Sequence, residues 1–221
     1  MKYIVPLKGP SLSNDEIPLI THDSTYGVIL YGRNLLGKLS IIKLIGDIKR
    51  ENPKLKTCVD EEGGLVSRIQ HLFPNYSQPY VATLNNREVA DYYQKRSKFL
   101  KELGFDVVLA PVVDLAMDEK SIMYKRSYGN NVDKIIELAC LCINAQRKSG
   151  LQSCIKHFPG IERTAVDSHE KLPSIDLDFD EWKSCEGLVF KKIIEFGVEN
   201  VMVGHVRYPK INDNIASLSK Y

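Results

Sequence analysis

Several things are scarce in this chain of 221 residues, and each scarcity excludes a class. Charge of one sign is lacking. The 30 Lys and Arg against 28 Asp and Glu leave a formal +2, so no strong field favours nucleic acid or an anionic membrane surface. Long apolar runs are lacking too: the stretch at residues 107–113 falls far short of the ~20 residues a membrane span needs. The opening Met1-Lys2-Tyr3-Ile4-Val5-Pro6 carries no apolar h-region and no small-residue cleavage site, so no secretory leader is read there. Glycine (14) and proline (10) are few and without period, which excludes a collagen-like or low-complexity chain. Cysteine is sparse: Cys58, Cys140, Cys142, Cys154 and Cys185 are an odd number with no C-x-x-C. Cys140 and Cys142, two apart on a helical stretch, face different sides and do not readily grip one metal ion. Reduced, buried thiols in a cytoplasmic protein are the expectation. No G-x-G-x-x-G and no P-loop pattern follows any strand, which weakens a nucleotide-binding reading.

What is present is a globular balance, 26% charged and 43% hydrophobic, with enough apolar side chains to bury a core. Short apolar runs alternate with longer amphipathic stretches. Strands are expected at residues 27–31, 57–60, 107–114, 151–157 and 200–206, five in all. Helices are expected at 40–50, 86–103, 132–149 and 179–196, the last three stopped by Gly104, Gly150 and Gly197. Strand, helix, strand with short links means parallel pairing and an α/β fold. No repeat, linker or composition shift divides residues 1–221, which read as one domain. An open doubly wound sheet and a (β/α)8 barrel both fit this order. Polar residues at the strand ends, Asp60, Asp114, Lys156 with His157, and His205, favour the barrel, whose C-terminal strand ends form one rim where catalytic groups gather.

Three constellations could carry chemistry. Asp60-Glu61-Glu62-Gly63-Gly64, with Arg68 eight positions after Asp60, follows a strand. Its glycines permit a tight turn and close ligand approach, and its aspartate could accept hydrogen bonds from vicinal hydroxyls. An acidic surface turn with an ordinary ion pair is the plainer alternative. Arg126-Ser127-Tyr128-Gly129 lies in the loop after Asp114 and says little alone. Lys156-His157-Phe158-Pro159-Gly160, followed by Asp167-Ser168-His169, is the strongest. Lysine and histidine side by side at a buried strand end are costly unless engaged. Asp167 is close enough in sequence to orient His169 as a general acid and base near neutral pH. A surface Asp-x-His beside a core histidine accounts for the same residues. Two rival chemistries also use them. Lys156 could form a Schiff base, and His157, Asp167 and His169 could bind a metal, although no ligand spacing supports the latter.

Taken together, GVILYGRN (27–34), DEEGGLVSRI (60–69), LAPVVDL (109–115) with RSYG (126–129), KHFPG (156–160) with DSH (167–169), and VMVGHVRYP (201–209) occur in order over most of the chain. The set resembles the N-terminal domain of glycoside hydrolase family 3, in its bacterial β-N-acetylhexosaminidase branch of the cell-wall recycling type. The resemblance implies a (β/α)8 TIM-type barrel, here incomplete with about its first five units. It implies hydrolysis of terminal β-N-acetylglucosaminides from peptidoglycan-derived sugars, by a retaining mechanism with a covalent glycosyl-enzyme intermediate. It assigns Asp60, Arg68, Arg126, Lys156 and His157 to the sugar pocket, and His169 with Asp167 to acid/base catalysis. It implies no metal and no organic cofactor.

Two departures from the family pattern stand out. Relatives often read KHFPGHG, whereas Ile161 and Glu162 follow Gly160 here. Glu162 is expected to add a negative charge near the Asp167–His169 pair. The family nucleophile is an aspartate beyond the VMVGHVRYP stretch. The only aspartate there is Asp213, in a polar Asn212-Asp213-Asn214 turn that does not match it. The chain is therefore expected to be truncated, to lack the nucleophile and to be impaired in turnover. The alternatives are an inactive sugar-binding remnant, half of a split enzyme completed by a complementary polypeptide, or β-glucosidase specificity.

Overall fold

The computed structural model describes residues 2–117, 119–121, 123–164 and 172–219. Asp167 and His169 lie outside them. Six parallel strands form one sheet: β1 (Tyr3–Pro6), β2 (Thr25–Leu30), β3 (Lys56–Val59), β4 (Val107–Val108), β5 (Gln152–Phe158) and β6 (Asn200–Val203). Their spatial order is their sequence order, β1 to β6. A doubly wound sheet reverses direction once and so has a strand-order switch point. None occurs here, so the winding is that of an incomplete (β/α)8 barrel, a curled sheet with helices outside.

The helices are α1 (Ile17–Thr21), α2 (Lys38–Glu51), α3 (Gln78–Val81), α4 (Asn86–Leu103), α5 (Val132–Lys148), α6 (Phe179–Ser184) and α7 (Glu186–Phe196). α4 packs between α2 and α5, and α5 against α7. The two long middle helices start on asparagine caps. Asn85 accepts from Arg87 and Glu88 N–H, and Asn131 from Lys134 N–H. Such caps contribute about 1 kcal/mol each.

The period of two along each strand separates the faces. Val28, Leu30, Val59 and Val108 pack with Ile41, Leu44, Ile48, Leu100 and Leu103 on the helix side. Their alternates Cys58, Val107 and Cys154, with Ile29 and Met202, cluster on the inner side. Continuing that alternation puts Asp60, two after Cys58, and Lys156, two after Cys154, on the inner face near the C-terminal ends of β3 and β5. All five cysteines are free thiols, with Cys58, Cys142 and Cys154 buried.

The structure departs from the sequence expectation in several places; the short helices α1 and α3 are additional. β1 is an additional strand; it is a four-residue edge strand ending in Pro6, a residue such edges tolerate. The third strand is regular only at Val107–Val108, and Val112 rejoins β5 through a single bridge to Lys156. The expected helix over 179–196 breaks at Cys185 into α6 and α7. The break lets Trp182 lie on Gly187, where an added Cβ would stand 2.9 Å from the indole, and lets its Nε1 donate to Pro159 O at 2.8 Å. Asn212 to Ile215, expected as turn, form β8, which pairs antiparallel with β7 (Arg207–Tyr208), and Asp213 there ion-pairs with Arg207. Among the described residues no helix is long and apolar enough to cross a membrane.

Candidate active site

Four charged side chains meet at the C-terminal ends of β3 and β5. Lys156 Nζ stands 2.6 Å from Asp60 Oδ1 and 2.6 Å from Glu62 Oε1. Arg126 grips Glu62 in bidentate fashion, Nε to Oε2 at 2.9 Å and Nη2 to Oε1 at 2.8 Å. Two cations thus face two carboxylates. Lys156 and Glu62 are almost wholly buried, and Asp60 and Arg126 keep about a fifth of their side chains exposed (20% and 22%). The exposed edge of the cluster is therefore the aspartate and the guanidinium. Burial opposes ionisation of Glu62, but the Lys156 ammonium and the Arg126 guanidinium outweigh it and hold this carboxyl at about 2.

Local sequence explains how these groups are aimed. After β3 the chain turns through Gly63 at φ +96, where a Cβ would come within 2.2 Å of Tyr76 O. Only glycine fits that turn, which follows directly on Glu62. Arg96, buried in α4, donates from Nη1 to Glu62 O at 3.1 Å and stacks against Tyr92 and Tyr93. Glu61 points the other way, accepting from the N–H groups of Arg68 and Ile69 at 2.7 and 3.2 Å. Arg126 is aimed by the loop it opens: Ser127 is buried and donates to Asp114 O, and Tyr128 OH meets Tyr93 OH in the core.

His157 is held separately. Asp114, fully buried, takes the His157 N–H at 3.0 Å and lies 2.8 Å from His157 Nδ1 through Oδ2, while Oδ1 accepts from Ile161 N–H at 3.1 Å. A carboxylate only accepts, so Nδ1 carries a proton and Nε2 is the ring atom left for a ligand. The Lys156–His157 and Phe158–Pro159 peptide bonds are cis. Beyond His157 an apolar cavity of about 440 Å³ is lined by Phe158, Trp182, Val203, Val206 and Tyr208.

The structure brings Asp60, Arg126 and Lys156 into one cluster, with His157 next to Lys156 on β5. Among the described residues no contact ties Arg68 to this cluster, and its Nε is buried there without a partner. His205 is exposed and meets Ser217 Oγ at 2.6 Å. Glu62 and Asp114 are the residues that sequence reasoning passed over as site members, although both lay in segments it had singled out. Among the described residues no group of three or more His, Cys, Asp and Glu is placed to hold a metal ion.

The model of the glycosyl hydrolase family 3 N-terminal domain matches residues 5–221. The chain belongs to glycosyl hydrolase family 3. Over 227 residues it is 30% identical to the β-hexosaminidase of Haemophilus influenzae (strain PittEE), covering 99% of this chain and 64% of that protein. It is 28% identical to the β-hexosaminidase of Methylobacillus flagellatus, covering 96% and 63%. The chain thus spans 63–64% of the length of these two family 3 relatives. Native NagZ from Neisseria gonorrhoeae superposes with a TM-score of 0.92 at 26% identity, over 98% of this chain and 66% of that one. NagZ from the same organism in complex with N-trifluoroacetyl-D-glucosamine superposes with a TM-score of 0.91 at 25% identity, over 99% and 69%.

Proposed function

We propose that residues 1–221 form one domain that binds a terminal β-N-acetylglucosamine unit, as the barrel portion of a family 3 β-N-acetylhexosaminidase acting on wall-derived sugars in the cytoplasm. The observation that carries this reading is the Lys156–Asp60–Glu62–Arg126 cluster at the strand ends. Such a cluster offers what a pyranose needs. The Asp60 carboxylate accepts from two vicinal hydroxyls, Arg126 and Lys156 donate to ring substituents, and His157 Nε2 addresses one further group. A sugar complex of the structurally similar NagZ supports the choice of ligand.

In this reading Asp114 and Glu62 position the residues that touch sugar. His169 protonates the departing oxygen and later takes a proton from water, with Asp167 orienting its ring. The second step is that of a retaining glycosidase, in which water breaks a glycosyl-carboxylate bond. Asp213, the only aspartate after β6, is engaged by Arg207 in the β7–β8 hairpin and is not offered as that carboxylate. Isothermal titration with N-acetylglucosamine, followed by assay on an aryl N-acetylglucosaminide, tests the proposal. Binding with turnover far below that of a whole hexosaminidase is expected. Absence of binding, or preference for glucose over N-acetylglucosamine, would overturn it, the latter in favour of β-glucosidase specificity.

A second reading is favoured by the edge strand β6, whose Val201 and Val203 are 37% and 42% exposed, Val203 lining the apolar cavity. In it, a complementary polypeptide pairs with the edges of β1 and β6 and supplies the nucleophile. Restoration of turnover on adding that polypeptide is its test.

A further inference from the structure

Between the loop after β5 and the start of α7 lies a second pair of acidic side chains that the proposed chemistry does not use. Glu162 in this loop and Glu186 at the start of α7 are each 1% exposed. Their carboxyls lie in hydrogen-bond contact with one another. Both oxygens of Glu162 and Oε2 of Glu186 have no donor among the described residues. The other Glu186 oxygen is taken by Arg163 Nε, and Arg163 Nη1 also reaches Glu181 Oε1 at 3.0 Å. Gly160, at φ +121, makes room for the pair: a Cβ there would stand 2.9 Å from Glu162 Oε1 and 3.2 Å from Glu186 Cγ.

Two buried carboxylates in contact, with the Arg163 guanidinium on Glu186 alone and three oxygens without a donor among the described residues, disfavour double ionisation. We infer that Glu162 and Glu186 share one proton, and that this pair is the positioning element that keeps residues 159–163 against Asp114 and His157. The route is short. Ile161, next to Glu162, donates to Asp114 Oδ1, and Asp114 Oδ2 holds His157. The groups facing Glu162 are Asp114 from the β4–α5 connection, Glu186 from α7 and the Tyr208 hydroxyl from β7; Arg163 faces Glu186 from the loop itself. Burial first, then the Asp114 and Glu186 carboxylates, push the Glu162 carboxyl well above the usual range. Glu162, expected to add a charge beside the acid/base pair, is buried against Glu186. Its relation to His169 lies outside the described residues.

Loss of the shared proton to bulk base leaves two adjacent charges beside Asp114 and drives the loop outward. The fold contains its own reporter, because Trp182 is the only tryptophan and donates to Pro159 O on this loop. The experiment follows Trp182 emission and the His157 ring resonances of the whole chain from pH 5 to 9, in wild type and Glu162→Gln. Neither readout needs a ligand, so its failure is separate from failure of the sugar reading. Wild type should show one reversible transition, well above the ordinary carboxylate range, in both probes. Glu162→Gln, which carries a permanent donor, should lose it. An infrared band of a protonated carboxyl at neutral pH, lost above the same transition, checks the wild type without any variant. An unchanged transition in Glu162→Gln, or no protonated carboxyl at pH 7, would overturn the inference.

Discussion

Lys156 Nζ and Asp60 Oδ1 stand 2.6 Å apart although 96 positions separate them in the chain. Lys156 is nearly wholly buried and Asp60 is not, so the two ends of this contact should fail differently. Lys156→Met leaves the buried Glu62 with Arg126 alone, and truncating one partner of such a network costs about 3 kcal/mol. Asp60→Asn keeps the shape and a hydrogen bond, with a stability loss below about 1 kcal/mol. It should nonetheless weaken N-acetylglucosamine binding by about tenfold or more, since bonds to charged groups contribute about 1.5–3 kcal/mol. Urea unfolding and calorimetric titration of both variants check the contrast.

Glu62 sets an acid limit on stability. Its ordinary value of 4.5 falls to about 2 in the fold. A carboxyl with a depressed folded pKa contributes stability that is fully present above pH 4.5 and lost as pH falls through about 2. The contribution is on the order of 3 kcal/mol. Glu62→Gln should be less stable at pH 7 and should show a flatter stability curve between pH 4.5 and 2. Parallel curves for the two proteins over that window would reject this assignment.

Asp114 is the brace of His157. Asp114→Ala strips partners from the His157 and Ile161 N–H groups and from Nδ1, and should cost about 2–4 kcal/mol. Asp114→Asn retains two acceptor positions on one oxygen but presents N–H groups at the other. It should fold less stably than wild type and bind sugar more weakly, with its His157 resonances shifted.

Gly63→Ala places a Cβ within 2.2 Å of Tyr76 O at a φ of +96. Two penalties coincide, the left-handed backbone and a backbone clash, and together they should cost about 2–4 kcal/mol. Thermal unfolding measures the loss. Sugar affinity should fall with it, because Glu62 is the next residue and cannot keep its grip on Arg126 once the turn shifts.

Burial raises the thiols of Cys58 to about 12 and of Cys154 to about 11. Both should resist alkylation at pH 8 in the folded protein, with Cys140 and Cys185 reacting first, and all five should react in urea. Mass spectrometry of partially labelled protein reads the order.

The alternation of apolar runs with amphipathic stretches made five of the six parallel strands and the long helices legible, because burial imposes periods of 2 and 3.6 on any such chain. β1 was not legible, since four residues ending in proline show no period. The break at Cys185 was equally hidden; α6 and α7 form one continuous amphipathic pattern, and only the docking of Trp182 on Gly187 and Pro159 divides it. In the site, Asp60, Asp114, Lys156 and His157 stood out as polar groups near strand ends, and Arg126 entered through the family resemblance. The roles of Glu62 and Asp114 were not legible, because they lie in contacts with Arg126 and His157 that are 64 and 43 residues away. That Glu162 is buried against Glu186 was not legible, because sequence shows a carboxylate's identity and not its burial.

From β1 to β6, neighbours in space are also neighbours in the chain. A polypeptide leaving the ribosome can therefore lay each unit on the one made just before it, without waiting for distant segments. The charged mouth is assembled on a different schedule: Glu62 and Arg126 are made early enough to meet first, and the lysine that balances the remaining charge of Asp60 arrives only with β5. Nascent chains halted before that strand would carry an acidic excess at their open end, which gives translation intermediates of this fold a distinct electrostatic signature.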